Sequence, residues 1–143
     1  MKLFTIGFTQ TTAESFFSRL KNAGAARLID VRLNNSSQLS GFAKRDDLAY
    51  FARTICGIDY VHMLQLAPEQ EMLAAYRKAK TSWDIYAGQF SALIRARRIE
   101  TLEPAPFDGA CLLCSEAKPH NCHRRLVAEY LQQHWPGTEI YHL

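Results

Sequence analysis

Short apolar runs along the chain alternate with longer stretches in which apolar residues recur at helical spacing. The runs predict five strands, at Leu3–Ile6, Arg27–Val31, Asp59–His62, Gly109–Leu113 and Thr138–His142. Strands that alternate with helices imply a parallel sheet covered on both faces. We therefore expect residues 1–143 to form a single three-layer α/β domain, with a mostly parallel sheet of about five strands and helices on both faces.

The helices are predicted from capping signals and apolar spacing. Thr11 with Glu14 three residues later has the capping-box pattern, and Gly24 ends that helix. The loop Leu33–Arg45 has no clear periodicity, and its length is typical of functional or mobile loops. The other predicted helices are Asp47–Cys56, Glu69–Lys80, Ser82–Arg98 and a last one that follows Asn121.

The composition narrows the class of protein. Of the 143 residues, 48% are apolar and 11% aromatic, which excludes a disordered chain. The chain shows neither an export signal nor an apolar stretch of membrane-spanning length, so we expect a cytoplasmic protein with no membrane partner and with four reduced cysteines. A net charge of +3 permits nucleic acid as a partner without requiring it.

Polar residues follow the predicted strands at the points where ligands of parallel sheets bind. Gly7 ends the first strand, Asp30 and Arg32 end the second, and Cys114 follows the fourth. Ser36 belongs to the loop after the second strand and could face the same ligand. We expect these residues to surround one cleft.

The stretch Cys111–Tyr130 concentrates nucleophiles, titratable groups and cations more than any other part of the chain. Asn121 is the predicted N-cap of its helix, which would place Cys122 in the first helical turn. The helix N-terminus and Arg124 favour a thiolate there over a thiol. We therefore expect Cys122 to be the most reactive cysteine, with Cys114 less reactive than Cys122 or coupled to it.

The other two cysteines have a simpler interpretation. Cys111 comes three positions before Cys114 on one strand, so the two side chains should point to opposite faces of the sheet. We expect Cys111 to fill the core, and Cys56, at a helix end, to do the same.

The candidate site residues fall into two groups. The reactive and proton-transferring candidates are Cys114, Cys122, Asp30 and Glu116. The candidates for binding a substrate anion are Gly7, Arg32, Ser36, His123 and Arg124. Asp30 has a second interpretation, as one half of a salt bridge with Arg32 or Arg124 that orders the neighbouring loop.

A metal site is a further alternative, since zinc or iron accepts the residue types of Cys114, His120, Cys122 and His123. Their spacing matches no recognised zinc ribbon or finger, and a core of this size needs no metal for stability. We therefore assign no metal ligands from the sequence and require no cofactor, and zinc binding stays an open alternative.

Three motifs resemble a bacterial family called domain of unknown function 488. They are Thr5-Ile6-Gly7, Asp30-Val31-Arg32, and Cys114-x-Glu116 followed by Cys122-His123-Arg124, in the order found in that family. The resemblance implies a small α/β domain in which these polar motifs cluster, and it implies no activity.

A second likeness is to rhodanese sulfurtransferases and related cysteine phosphatases, in which a cysteine directly after a strand is the nucleophile. Leu28–Arg32 and the strand that ends in Cys114 are similar to that design. The chain departs from it in the segment after Cys114, which is long, lacks glycine, contains Pro119 and has His120 where the phosphatases have arginine.

The leading hypothesis is an enzyme that acts on an anionic, nucleotide or nucleic-acid-related substrate in a cysteine-containing pocket. One alternative is a non-catalytic module that binds nucleic acid or a nucleotide through the same arginines. Another is a metal-binding or rhodanese-like sulfur-handling domain. The oligomeric state stays open.

Overall fold

The computed structural model describes residues 1–143 and contains five strands that alternate with helices. The strands are β1 (Lys2–Gly7), β2 (Arg27–Asp30), β3 (Asp59–His62), β4 (Ala110–Cys114) and β5 (Glu139–His142). The helices are α1 (Ala13–Ala23), α2 (Arg45–Phe51), α3 (Gln70–Arg77), α4 (Trp83–Ala96) and α5 (His123–His134). No helix combines the length and the apolar character that crossing a membrane requires.

The five strands form one sheet in the order β3-β2-β4-β1-β5, and every neighbouring pair is parallel. This confirms the predicted α/β class and the parallel sheet. In the register, Gly7 lies beside Cys114, and Asp30 lies between Leu113 and His62. The carboxyl ends of the four strands β1 to β4 therefore meet at one edge.

Apolar side chains cover both faces of the sheet, as expected for three layers. On one face, Phe16 and Leu20 of α1 and Leu48 of α2 pack with Cys111. On the other face, residues of α4 and α5 such as Phe90 and Val127 pack in a cluster that includes Cys114 and Cys122. Cys111 and Cys114 thus lie on opposite faces, as the alternation of side chains along a strand predicts.

Two helices begin one residue later than the sequence predicts. The N-cap of α1 is Thr12, whose hydroxyl accepts a hydrogen bond from the backbone N–H of Ser15, in place of Thr11. The N-cap of α5 is Cys122, in place of Asn121. Cys122 therefore precedes the first helical turn, which starts with His123.

The predicted helix Asp47–Cys56 is not regular. After α2, residues 52–56 form a π-helical turn, which inserts an extra residue into the helical spacing. Ile55 follows Leu48 and Phe51 at helical spacing and would face inward in a regular helix, but it is 44% exposed, because this turn rotates it away from the core. Cys56 lies at the end of the turn and is half-buried, so it is less enclosed than a core cysteine.

Candidate active site

A cavity of about 70 Å³ opens at the carboxyl edge of the sheet. Five of the predicted site residues form part of its wall, namely Arg32, Cys114, Glu116, Cys122 and His123. They come from the ends of β2 and β4 and from the start of α5, as the edge rule for parallel sheets predicts. The rest of the wall consists of Leu33, Asn34, Leu73, Tyr76, Arg77, Tyr86, Ser115 and Asn121.

Two sulfur atoms and a histidine ring meet at the inner end of this cavity. The Sγ atoms of Cys114 and Cys122 and a ring nitrogen of His123 all lie within 4.8 Å of one another, and all three residues are buried. We call these three residues the cysteine cluster. Its members are nine or fewer positions apart in the chain, and the turn from β4 to α5 folds them together.

The hydrogen bonds of His123 define its tautomer. Its Nε2 lies 2.7 Å from the carbonyl oxygen of Val31, which can only accept, so Nε2 carries the proton. Nδ1 is then free to accept, and it lies 3.5 Å from Cys114 Sγ. Burial lowers the pKa of His123 below its ordinary value, which favours the neutral ring. His123 thus has a free lone pair on Nδ1 and lines the cavity, and its assignment as an anion ligand stays a prediction.

The two cluster thiols differ in the opposite sense from the sequence-based expectation. A hydrogen bond from Cys122 lowers the pKa of Cys114, against the opposing effect of burial and with a smaller contribution from the charge of Arg124. The pKa of Cys122 is raised well above its ordinary value, first by that same hydrogen bond and then by burial. Cys114 is therefore the more acidic thiol of the pair. Burial also raises the pKa of Cys111, as expected for a core cysteine.

Asp30, Arg32 and Tyr60 form a second polar group beside the cavity, which we call the Asp30 network. The carboxylate of Asp30 accepts from Arg32 Nε and Nη2, both at 2.9 Å, and from the Tyr60 hydroxyl at 2.5 Å. Asp30 is 0% exposed and Arg32 only 3%, although the sequence suggested an exposed strand end. The alternative interpretation of Asp30, as the partner of Arg32 in a salt bridge, is the one the geometry shows.

One guanidinium nitrogen of this network remains free. Arg32 Nη2 also donates to the carbonyl oxygen of Ala43 at 2.7 Å, whereas Arg32 Nη1 is buried without a partner. Arg32 belongs to the cavity wall, so a guanidinium nitrogen without a partner lies in a residue that lines the cavity.

Arg124 is completely buried and forms no part of the cavity wall. Its Nη1 donates to the carbonyl oxygen of Glu116 at 2.5 Å, and its Nε and Nη2 have no partner. Gly7 lies directly beneath this contact, because a Cβ built on Gly7 would come within 1.6 Å of the Glu116 oxygen. Gly7 and Arg124 thus support the loop that carries Glu116, and neither faces the cavity.

Several other sequence-based assignments fall outside the cavity. Ser36 is exposed in the loop after β2 and is absent from the wall, as is Asp30, which lies behind Arg32. His120 is exposed and lies apart from the cysteine cluster, in the wall of a shallow groove with Thr9 and Lys118.

Sequence reasoning missed the wall that α3 and α4 contribute, with Tyr76, Arg77 and Tyr86. The rings of Tyr76 and Tyr86 stack with their centroids 4.7 Å apart. It also missed Tyr60, which alternates with apolar neighbours like an ordinary strand residue. A tyrosine and an arginine at the end of α3 carry no local signal for which edge of the sheet the helix will cover.

Comparison with known proteins gives one family match. The family described as domain of unknown function DUF488 matches residues 12–131, which include the Asp30-Val31-Arg32 and the Cys114 to Arg124 motifs. The first motif, Thr5-Ile6-Gly7, precedes the matched range. No curated protein and no solved structure matches the chain.

Proposed function

The chain belongs to the domain of unknown function 488 family, and on that premise we propose that it is an enzyme that acts on a small anionic substrate in the cavity, with Cys114 as its reactive group. The family's description names no activity, so the proposal depends on the site. Its main support is that a buried thiol, a histidine with a free ring nitrogen and an arginine with an unpaired guanidinium nitrogen belong to the wall of one small cavity.

Two arginines would bind the substrate anion. Arg32 supplies a buried donor that already lacks a partner, and Arg77 extends from the end of α3 into the wall from the opposite side. A hydrogen bond to a charged group contributes about 1.5–3 kcal/mol, so both can fix an oxyanion in position. Glu116 also lines the cavity, and its carboxylate would handle a proton and repel a second anion.

The size of the cavity restricts which part of the substrate enters. A volume of about 70 Å³ is well below the roughly 300–1,000 Å³ of pockets that enclose a drug-sized molecule. It suits one end group, such as a phosphate or a carboxylate, and the rest of the molecule would lie outside. The half-buried ring of Tyr76 in the wall offers a surface on which a nucleotide base can stack.

Cys114 would react as a nucleophile. Its proton moves to Nδ1 of His123, which lies 3.5 Å away and has a free lone pair. The sulfur then forms a bond to an electrophilic atom of the substrate, and the bond to the leaving group breaks. The imidazolium of His123 gives its proton to the departing group. In the second step a water molecule displaces the sulfur from the bound group, and the proton of that water passes through His123 Nδ1 to Cys114.

Protection of Cys114 from alkylation tests this proposal. Chelator-treated protein is labelled with iodoacetamide, with and without inorganic phosphate, pyrophosphate or a nucleoside monophosphate, and each cysteine is quantified by mass spectrometry. We expect at least one of these anions to slow labelling of Cys114 and none to slow labelling of Cys56.

Matched arginine variants sharpen the test. Arg77 and Arg95 both lie in the last turn of an exposed helix end, but only Arg77 lines the cavity. Arg77→Ala should weaken the protection by about tenfold or more, for a lost charged hydrogen bond, and Arg95→Ala should leave it unchanged. Equal effects, or no protection by any of the anions, would overturn the proposal. If an anion binds in the cavity but Cys114 forms no bond to any substrate, the non-catalytic binding module is favoured.

A further inference from the structure

We propose that the cysteine cluster is also a zinc site, in which the Sγ atoms of Cys114 and Cys122 and the Nδ1 atom of His123 bind one Zn²⁺. The three ligand atoms lie within 4.8 Å of one another. Ligands at zinc distances of about 2.3 Å for sulfur and 2.0–2.1 Å for nitrogen are roughly 3.5–3.8 Å apart in a tetrahedron. The separation of Cys114 Sγ and His123 Nδ1, 3.5 Å, is already the length of such an edge.

The surroundings of His123 fit a metal ligand. Histidines that bind zinc through one ring nitrogen usually donate the other N–H to a carbonyl or a carboxylate, which fixes the tautomer and the orientation of the ring. Here Nε2 donates to the Val31 carbonyl oxygen at 2.7 Å. The ring also packs against Phe90, with the centroids 5.1 Å apart. Nδ1 is thus the ring nitrogen left for a metal. Because Cys114 Sγ lies 3.5 Å from Nδ1 and 3.8 Å from Nε2, a turn of the ring must direct the Nδ1 lone pair to the ion.

The ligand set leaves one coordination position open. Two thiolates and a neutral imidazole are three ligands of the kind that zinc prefers, and the two thiolates balance the charge of the ion. All three residues belong to the cavity wall, so a fourth ligand would come from the cavity. Water or the oxyanion of a substrate can occupy that position, and Arg32 belongs to the wall of the same cavity.

Zinc binding is a property separate from the proposed reaction, and it would inhibit that reaction. A Cys114 sulfur that is bonded to zinc is a weaker nucleophile than a free thiolate, because the ion withdraws its electron density. The metal-free protein would therefore carry the reactive thiol, and zinc would hold the enzyme in an inactive form. The two states of Cys114 can be measured separately.

Metal binding is measured on the whole chain after chelator treatment and return of one metal at a time. We expect one equivalent of Zn²⁺ per chain by elemental analysis. With Co²⁺ we expect a thiolate-to-cobalt charge-transfer band in the near ultraviolet and the visible bands of a tetrahedral ion. In the unaltered protein, Zn²⁺ should block alkylation of both Cys114 and Cys122 while Cys56 reacts as before.

Variants identify the ligands. Cys122→Ser and His123→Asn should each lower the affinity for Zn²⁺ by about 100-fold or more, since a three-ligand site loses one ligand. Cys56→Ser is the matched control and should bind zinc unchanged. Circular dichroism of each variant establishes that it is folded. If a variant does not fold, the protection of Cys114 and Cys122 from alkylation by Zn²⁺ in the unaltered protein still tests the site.

The outcomes separate this inference from the proposed function. Less than a tenth of an equivalent of bound zinc, or an equal loss of affinity in Cys122→Ser and Cys56→Ser, would overturn the zinc site. Phosphate protection of Cys114 in chelator would still support the enzyme in that case. Zinc binding in a protein that no anion protects would support the metal site and reject the anionic substrate.

Discussion

The Asp30 network and the cysteine cluster lie on neighbouring strands at the same edge of the sheet, and they differ in how completely their polar atoms are paired. Both oxygens of Asp30 accept two hydrogen bonds each, from Arg32 and Tyr60. In the cysteine cluster, Nδ1 of His123 has only a sulfur neighbour at 3.5 Å. One group is nearly saturated, and the other keeps free lone pairs.

This difference separates a structural role from a chemical one. The buried ion pair holds the end of β2 and orients Arg32. Its hydrogen-bonding atoms are all paired except Arg32 Nη1, so only that nitrogen has no partner within the protein. The cysteine cluster contributes less to the stability of the fold, but its free lone pairs can bind a ligand. Residues that the sequence analysis grouped together as catalytic candidates, Asp30 and Cys114, therefore have different tasks.

The largest expected effect is a loss of stability when the Asp30 network is disrupted. Asp30→Ala leaves the Arg32 guanidinium buried without its counter-charge, and loss of one partner of a buried ion pair typically costs about 3–5 kcal/mol. We expect that loss in the free energy of unfolding, measured by urea denaturation. Asp59→Ala is the matched control, because Asp59 contacts Arg27 at 3.8 Å with its side chain 83% exposed. It should cost less than about 1 kcal/mol, and equal costs would show that the Asp30 network is not structural.

The next effect concerns the backbone that supports the cysteine cluster. Gly7→Ala would place a Cβ 1.6 Å from the Glu116 carbonyl oxygen, so either β1 or the loop after β4 must move. We expect a cost of about 3 kcal/mol in the free energy of unfolding, at the upper end of the range for overpacking.

Gly88→Ala provides the comparison for Gly7. Gly88 lies within α4, and a Cβ there meets no atom within 4 Å. This variant should be more stable than the unaltered protein by about 0.5–1 kcal/mol, because alanine is the better helix former. If Gly7→Ala were as well tolerated, close packing beneath Glu116 would not be what positions the cluster.

The features that the sequence predicted correctly depend on long, strongly patterned segments. Apolar strands between helices were enough to place β1 to β4 in one parallel sheet and to bring Arg32 and Cys114 to one edge. The alternation of side chains placed Cys111 on the opposite face from Cys114.

The errors come from shifts of a single residue. Moving the N-cap from Asn121 to Cys122 takes Cys122 out of the first helical turn. Cys122 then lies in the buried cysteine cluster, and Arg124 lies in the protein interior. Local capping propensities for Asn and Cys favour the wrong residue here, because the packing of α5 against the sheet decides the register.

The contribution of α3 and α4 to the cavity has a different cause. Their amphipathic patterns predict helices but do not say over which edge of the sheet a helix pair will lie. Arg77 and Tyr76 reach the cavity through that tertiary arrangement alone, so no window of sequence around them identifies them.

The smallest expected effect tests whether the unpaired charge of Arg124 is felt at a distance. Burial lowers the pKa of His142 below its ordinary value, the charges of Arg124 and Arg125 lower it further, and Glu129 opposes them. A histidine with a lowered pKa in the folded state binds protons more readily when unfolded. Stability should therefore be complete above about pH 6.5 and fall as the pH drops toward the lowered value.

His142→Gln should reduce this pH dependence without abolishing it, since His123 shifts in the same direction. The free energy of urea unfolding at pH about 7.5 and about 5 measures the change, and an NMR titration of the His142 ring gives its pKa directly. His142 is partly exposed and hydrogen-bonded to the Thr5 hydroxyl at 2.6 Å, so we expect only a modest difference. A pKa at or above 6.5 would mean that neither burial nor the charge of Arg124 disfavours the protonated ring of His142 in solution.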